Sequence, residues 1–253
     1  MNWFGCWTLF RKEVRRFSKV LGQTVLAPML TSMLYLLVFG QVMSGRVEVF
    51  DGVGYSAFLI PGLMMMSVIQ NAFANTSSSL TQSKIMGNLV FLLMPPLSSV
   101  EIFIAFVGAA LLRATLVAMG VYAVALCFLP LPLEAPGVAL VMLVLSAATL
   151  AVLGMIAGIL ADKFEHLAAF QNFVIMPASF LSGVFYSIHS LPPFWRELSH
   201  YNPFFYMIDG FRYGFFGVGD APPGLSMAIV AISFALISAL CLVMLQRGYK
   251  LRP

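Results

Sequence analysis

The chain has 253 residues, of which 60% are hydrophobic, 13% aromatic and 9% charged, with a mean hydropathy of +0.94. Soluble domains carry about a quarter charged residues, so this composition excludes a water-soluble protein. The net charge of +4 comes from 14 Lys+Arg and 10 Asp+Glu. In a membrane protein the placement of Lys and Arg indicates which loops face the cytoplasm, so this charge does not indicate nucleic-acid binding.

Residues 1–20 predict an amphipathic helix that lies in the cytoplasmic membrane interface. Its apolar residues recur at steps of three and four, while its cations gather elsewhere on the helix. The apolar residues are Trp3, Phe4, Trp7, Phe10, Val14 and Phe17, and the cations are Arg11, Lys12, Arg15, Arg16 and Lys19. A plain topology anchor and a docking surface for a cytoplasmic partner both remain open.

Six apolar runs have the length of about 20 residues that a bilayer core of about 30 Å requires. They cover residues 21–43, 55–74, 102–129, 137–160, 167–186 and 225–245. We therefore expect an all-α membrane protein with six transmembrane helices. In the fourth run, Gly154 and Gly158 have the small-xxx-small spacing that lets helices approach closely.

Residues 83–95, between the second and third runs, predict a short apolar helix on the cytoplasmic side. Its apolar residues are Ile85, Leu89, Val90, Leu92 and Leu93, and the pair Pro95 and Pro96 ends it. Something must cover this apolar face. The membrane surface and a soluble partner are both candidates.

Residues 187–224, between the fifth and sixth runs, are too polar to span a membrane and too aromatic for an ordinary loop. Irregular backbone at membrane depth needs protein or water around it. We expect a pair of short re-entrant helices in the outer leaflet, with aromatic residues in the interfacial zone. These residues are Phe194, Trp195, Tyr201, Phe204, Phe205 and Tyr206.

The distribution of Lys and Arg predicts that both termini are cytoplasmic. With the N-terminus inside, ten of these residues lie inside and three, Arg46, Arg196 and Arg212, lie outside. Arg113 alone falls within a run, 16 residues or about 24 Å of helix from its outer end. We expect Arg113 to snorkel to the cytoplasmic face, and a place on a substrate pathway is the alternative.

The sequence offers no pattern for chemistry of its own. The acidic residues fall in loops or at run boundaries, and the three histidines are too dispersed for a metal triad. Residues 40–46, GQVMSGR, imitate a P-loop but lack its Lys and Ser or Thr. We therefore predict no enzyme activity, no catalytic residues, no metal and no cofactor bound by this chain.

The chain resembles the ABC-2 type permeases of ATP-binding cassette exporters, in the inner-membrane branch of Gram-negative bacteria that includes the nodulation-factor exporters and is related to drug-efflux permeases. The resemblance covers essentially the whole chain. It rests on the basic N-terminal helix with Lys12, Glu13 and Arg16, and on FLIPGLMMMSVIQNAFANTSSS at 58–79, GNLVFLLMPPLSSVEIF at 87–103 and SGVFYSIHSLPPFWRELSHYNPFFYMIDGFRYGFFG at 182–217. Where the family usually has acidic residues before the double proline, this chain has Met86, Asn88 and Val90.

The resemblance implies one domain over 1–253, in the bacterial inner membrane, that exports an amphiphile such as a lipid-linked saccharide, a lipid or a drug. Two copies would form the path among membrane lipid, and a separate cytoplasmic P-loop ATPase would use the ATP. The ATPase contacts implied by the resemblance are Arg16, Lys84, Gly87, Leu89, Leu92, Leu93, Pro95 and Pro96. The path, at a dimer seam of spans one, two and five, would involve Gln70, Asn71, Phe185, Tyr186, Phe194, Trp195 and Tyr206.

Two other classes of protein stay open on the sequence alone. An ion- or proton-driven carrier would place charges at mid-membrane and often repeat its halves, and the two halves here share no visible motif. An intramembrane enzyme would need a nucleophile with a base in reach. Its only candidates are His189, His200, Ser187, Ser190 and Ser199.

Overall fold

The computed structural model describes residues 2–43, 48–50 and 53–250. Its helices are α1 Trp3–Ser18, α2 Leu21–Met43, α3 Tyr55–Ile85, α4 Leu89–Leu93, α5 Ser99–Leu126, α6 Pro136–Leu160, α7 Phe164–Phe170, α8 Met176–Phe180, α9 Pro193–His200, α10 Pro203–Phe216 and α11 Pro223–Arg247. Two short strands, β1 Glu48–Phe50 and β2 Val53–Gly54, form an antiparallel hairpin that the sequence did not predict. Arg46 and Arg252, which enter the charge count, lie outside the described residues.

Within the described part of the chain, five helices are long and apolar enough to cross a membrane. These are α2, α3, α5, α6 and α11. Each coincides with a predicted run or contains it, except that α5 begins and ends three residues before the run 102–129. The helical membrane fold is thereby confirmed. The helix α3 continues 11 residues past the predicted end at 74, so it extends beyond the apolar run.

The predicted run 167–186 does not form one regular helix, which corrects that boundary. The chain makes α7, a π-helical turn Gln171–Ile175, and α8, and the helix ends at Phe180. A π-turn widens the helix by one residue, and such turns are frequent at functional sites. Gly183 follows with φ +73°, a left-handed conformation that turns the chain out of the helix.

Contacts between distant residues define two ends of the helix bundle. At the first, which we call the basic end, the Asn2 backbone N–H donates to the Glu101 carboxylate. There Asp162, after α6, pairs with Lys84 of α3 at 3.5 Å and with Lys250 at 3.4 Å. Residues near both termini therefore lie at the same end of the bundle.

The opposite end, which we call the hairpin end, carries β1, β2 and the start of α3. Here the Tyr55 hydroxyl donates to the Phe185 carbonyl at 3.0 Å, and the Ser187 hydroxyl donates to the Asp220 carboxylate. Since α6 finishes at the basic end, residues 164–185 carry the chain from one end of the bundle to the other.

The helix α3 lies at the centre of the bundle and packs on α2, α5, α6 and α10. Its closest approach is to α6, where a Cβ at Gly158 would lie 2.9 Å from Leu80 Cβ and 3.0 Å from the Ser77 carbonyl. The Thr76 hydroxyl also donates to the Ala151 carbonyl of α6 at 2.6 Å. The small-xxx-small pattern at Gly154 and Gly158 thus marks a real helix contact.

The helices α9 and α10 form a pair that differs in burial. Phe194, Trp195 and Tyr201 of the α9 region are exposed, as expected of an interfacial zone, but Phe204, Phe205 and Tyr206 of α10 are buried in the core. The expected place of these residues in an interfacial zone stays a prediction, because burial within the protein does not report depth in a membrane. The aromatic residues of α10 pack against α3, α6 and α11.

The helix α10 also buries two charged residues that the sequence placed outside the membrane core. Arg212 is fully buried, lies 3.7 Å above the Phe58 ring and donates to the Gly183 carbonyl at 2.8 Å. Asp209 is also fully buried and accepts the backbone N–H groups of Asp220 and Ala221 at 2.8 and 2.9 Å. Arg212 is thus a core residue near the hairpin end, where its partners Phe58 and Gly183 lie.

Candidate functional site

A cleft of about 270 Å³ opens between α2, α3 and α8. It is lined by Ala27, Pro28, Thr31, Ser32, Tyr35, Leu63, Met66, Ser67, Gln70, Asn71, Met176 and Phe180. The structure therefore brings together the first and second predicted spans and a part of the fifth. Gln70 and Asn71, two of the residues expected on the path, contribute polar side chains to its wall.

Aromatic rings close the cleft toward the hairpin end. The Phe185 ring lies 5.3 Å from Tyr35, 5.9 Å from Phe39 and 5.8 Å from Phe180 between centroids. The Tyr186 hydroxyl donates to the Phe180 carbonyl at 3.0 Å. Phe185 and Tyr186 thus contact Tyr35 and Phe180 of the cleft lining, and their place on a substrate path stays a prediction.

Two arginines meet two asparagines of α3 behind the opposite end of the cleft. Arg113 of α5 donates to Asn71 Oδ1 at 3.0 Å and to Asn75 Oδ1 at 3.4 Å. Arg16 of α1 donates to the same Asn75 Oδ1 at 3.0 Å and to the Asn75 carbonyl at 2.7 Å. We call Arg16, Asn71, Asn75 and Arg113 the arginine cluster. The Arg113 guanidinium is held inside the bundle and does not snorkel free to the surface.

On helix α1, a buried acidic residue forms an ion pair with Arg16. Glu13 is fully buried, and its carboxylate pairs with Arg16 and with Lys12, each at 3.1 Å. The face that packs on α5 consists of Cys6, Leu9, Glu13 and Phe17. Trp3, Phe4 and Trp7, assigned to one apolar face with Phe17, are exposed and lie on a different side of the helix.

The predicted ATPase-contact segment divides into inward and outward residues. Leu89 is half-buried and packs on the core, whereas Ile85, Met86, Val90, Phe91 and Met94 are exposed. We call these five exposed residues the α4 surface. Gly87 has φ +69° and starts the turn into α4, and Pro95 and Pro96 follow its end. The side chains of Leu92 and Leu93 lie outside the described part of the structure.

Lys84 points away from the α4 surface and into the bundle. Its ammonium donates to the carbonyls of Ile159 and of Ala161, the latter at 3.2 Å, and pairs with Asp162. The positive end of Lys84 therefore meets the C-terminal carbonyls of α6, where a cation is favoured. A hydrogen bond and charge from Lys250, followed by the charge of Lys84, hold the pKa of Asp162 below its usual range.

The remaining path residues lie away from the cleft. Phe194 and Trp195 form an edge-to-face pair on the exposed side of α9, with ring centroids 5.3 Å apart. Tyr206 is buried on α10, and its hydroxyl donates to the His200 carbonyl at 3.1 Å. The structure does not bring these three residues to the wall that Gln70 and Asn71 share.

Sequence reasoning missed the link between Arg113 and α3. Asn71 and Asn75 are four residues apart, so they lie on one helix face. An arginine inside an apolar run requires a polar partner, and this pair of amides in the neighbouring run was the available signal. The pairing of Glu13 with Arg16 had a signal as well, because the two residues are three positions apart.

Comparison with known proteins adds the following similarities. Residues 5–216 match the family described as ABC-2 type transporter. The chain is 36% identical over 252 residues to "Inner membrane transport permease YadH" of Escherichia coli (strain K12), covering 100% of this chain and 98% of that protein. It is 25% identical over 252 residues to "Nodulation protein J" of Rhizobium leguminosarum bv. viciae, covering 98% of this chain and 95% of that protein.

Proposed function

Because the chain belongs to the ABC-2 type transporter family, we propose that it is the permease subunit of an ATP-binding cassette exporter in the bacterial inner membrane. Two copies form the path for an amphiphile among membrane lipid. A separate cytoplasmic P-loop ATPase binds and hydrolyses the ATP. The chain itself performs no reaction and contributes the path and the mechanical connection.

The α4 surface carries this proposal. It presents apolar side chains that no described residue covers, with Phe91 and Met94 each 72% exposed. It lies between α3 and α5 at the basic end, which the charge distribution assigns to the cytoplasm. An apolar surface rimmed by polar residues is typical of a protein interaction site. Members of the family pair with an ATPase, and a groove on that ATPase would cover this surface.

The path of the chain supports a membrane placement with both termini in the cytoplasm. Residues 164–185 run from the basic end to the hairpin end, so the broken helix α7 to α8 supplies a sixth crossing. The pair α9 and α10 begins and finishes at the hairpin end, since Ser187 contacts Asp220. We infer that this pair is re-entrant from the periplasmic side.

The cleft between α2, α3 and α8 supplies the wall of the path in one subunit. Its lining includes the Gln70 and Asn71 side chains and Tyr35, whose ring lies 5.3 Å from Phe185. A second copy facing this wall would enclose the path. A mixed lining of amides, hydroxyls and rings suits a substrate with polar and apolar parts.

Replacing Phe91 with Asp tests the ATPase interface. Burial of a Phe side chain is worth about 1.5 to 3 kcal/mol, so Phe91→Asp should weaken ATPase binding by about tenfold or more. The measurement is recovery of the co-expressed ATPase on the tagged permease, at equal permease yield.

Phe128→Asp is the matched control, because Phe128 is also exposed but follows α5 at the other end of the bundle. It should leave recovery of the ATPase unchanged. Equal recovery with Phe91→Asp and with the unmodified chain would show that α4 is not the docking element.

A further inference from the structure

Arg113 brings an uncompensated positive charge to the cleft. Its two described partners, Asn71 and Asn75, are neutral amides. Among the described side chains, no carboxylate forms an ion pair with Arg113, while the nearby Glu13 is paired with Arg16 and Lys12. A cation within a membrane helix is costly, and its retention indicates a function that uses the charge.

Unused hydrogen-bond donors surround the same place. Arg113 Nε, Gln70 Nε2 and Asn75 Nδ2 are completely buried, and no described residue offers any of them an acceptor. A buried donor without an acceptor destabilises a protein, so these donors favour a ligand that accepts hydrogen bonds. Of these three residues, Gln70 lines the cleft, so its amide is the donor that an acceptor entering the cleft would meet, with Arg113 and Asn75 behind it.

The charges of the residues around this end of the cleft indicate whether such an acceptor is neutral or negatively charged. The arginine cluster holds two guanidinium groups, and among the described side chains Glu13 pairs with Arg16 and Lys12 whereas Arg113 has only amide partners. Hydrogen bonds from charged or polarised donors to an anion are about twice as strong as those between neutral groups. A negatively charged oxygen group is therefore the complement of this end of the cleft.

We propose that the cleft binds the anionic head group of an amphiphile, such as a phosphate ester, against Gln70 and Asn71. Arg113 acts as a positioning residue that holds Asn71 by its Oδ1 and supplies the attractive charge from behind. The apolar part of the amphiphile lies along Leu63, Met66 and Phe180 toward the aromatic rings. This inference rests on the proposed function, because it names the substrate class of the proposed path.

Photolabelling with two lipids that differ only in head group tests the proposal. The purified chain, without the ATPase, is reconstituted in phosphatidylcholine vesicles with a trace of either phosphatidic acid or phosphatidylcholine that carries a diazirine on the acyl chain. Labelled peptides from α2, α3 and α8 are quantified by mass spectrometry. We expect phosphatidic acid to label the cleft peptides about tenfold more than phosphatidylcholine, as charge-assisted hydrogen bonds predict.

The variants separate charge from folding. Arg113→Gln should abolish the preference for phosphatidic acid, and Arg113→Lys should keep most of it. Gln70→Leu, which leaves the arginine in place, should reduce it. Arg247→Gln removes an exposed cation at the end of α11 and should change nothing. Equal helical circular dichroism establishes that each variant is folded.

Three results would overturn the proposal. These are equal labelling of the wild-type cleft by both lipids, an undiminished preference in Arg113→Gln, and displacement of the label by inorganic phosphate, which would assign the site to a free anion. Because the ATPase is absent, loss of lipid preference leaves the permease assignment intact. Conversely, failure to recruit an ATPase would refute the permease assignment without changing the labelling.

Discussion

At the scale of single residues, Gly154 and Gly158 set how closely the two central helices pack. A Cβ at Gly154 would overlap Thr76 Oγ1 and the Phe73 carbonyl of α3. The Phe73 carbonyl is helix backbone and cannot move aside, and the Thr76 hydroxyl is held in place by its hydrogen bond to the Ala151 carbonyl. The lack of a side chain at these positions therefore stabilises the α3–α6 contact on which the cleft wall depends.

Replacing Gly154 with Ala should lower the midpoint of thermal unfolding of the detergent-purified chain. Overpacking of this kind costs about 1 to 3 kcal/mol, because the helices must separate to admit the methyl group. Gly137→Ala on the same helix is the control, since nothing lies within 4 Å of a Cβ there. An unchanged midpoint for Gly154→Ala would mean that α3 and α6 are less tightly packed than described.

At the scale of elements, α3 is fixed at the basic end by Lys84 rather than by apolar packing alone. The Lys84 side chain is 11% exposed and joins the end of α3 to the last carbonyls of α6 and to Asp162. Lys250 binds the same acid from the other side. The part of α3 at the basic end, which leads directly into α4, is thus connected to α6 and to the C-terminal segment.

Lys84→Met should loosen this connection while retaining the length of the side chain. The lost hydrogen bonds to carbonyls are worth about 0.5 to 1.5 kcal/mol each, so hydrogen exchange of amides at the end of α3 and the start of α7 should accelerate by about threefold or more. Lys163→Met, at an exposed lysine one residue past Asp162, should not change exchange. Equal hydrogen exchange in the two variants would show that Lys84 does not fix the end of α3.

The long helices were predictable because uniform apolar runs of sufficient length have few other solutions in a bilayer. The π-turn at Gln171–Ile175 was not, since its residues keep the composition of an ordinary apolar helix. Nor was the burial of Asp209 and Arg212. Their partners, the backbone groups of residues 220 and 183, come from other segments, and no local pattern specifies that approach.

The candidate site was predictable in the same uneven way. Gln70 and Asn71 stand out as amides within an apolar run, and they line the cleft. Arg113 was recognised as an exception, but its pairing with α3 depends on the relative rotation of two helices. The apolar residues 83–95 indicated a docking helix, whereas which of them face outward depends on how Leu89 packs against the core.

At the scale of the whole molecule, the chain has two chemically distinct ends. The basic end gathers Lys84, Lys163, Lys250 and the α4 surface, and the hairpin end carries β1, β2 and the network of Ser187 with Asp220. Positively charged segments remain on the cytoplasmic side. We therefore expect the basic end to face the cytoplasm and the hairpin end to face the periplasm.

Cysteine labelling in intact cells measures this orientation. The native Cys127 is exposed and must first be replaced. A cysteine at the exposed position of Glu134 should then react with an impermeant thiol reagent from outside, whereas cysteines at Met86 and Lys163 should react only after permeabilisation. The reverse pattern would invert the molecule and would place α4 out of reach of a cytoplasmic ATPase.

The central claim, that this chain is a permease driven by a separate ATPase, is tested most directly by ATP hydrolysis. The rate is measured for the purified chain, for a P-loop ATPase that co-purifies with it and for the complex of the two in lipid. We expect no hydrolysis by the chain alone and a rate for the complex that differs from that of the free ATPase and depends on Phe91. Hydrolysis that stays with the lone chain through further purification, or an ATPase that neither binds the chain nor changes its rate with it, would contradict the account.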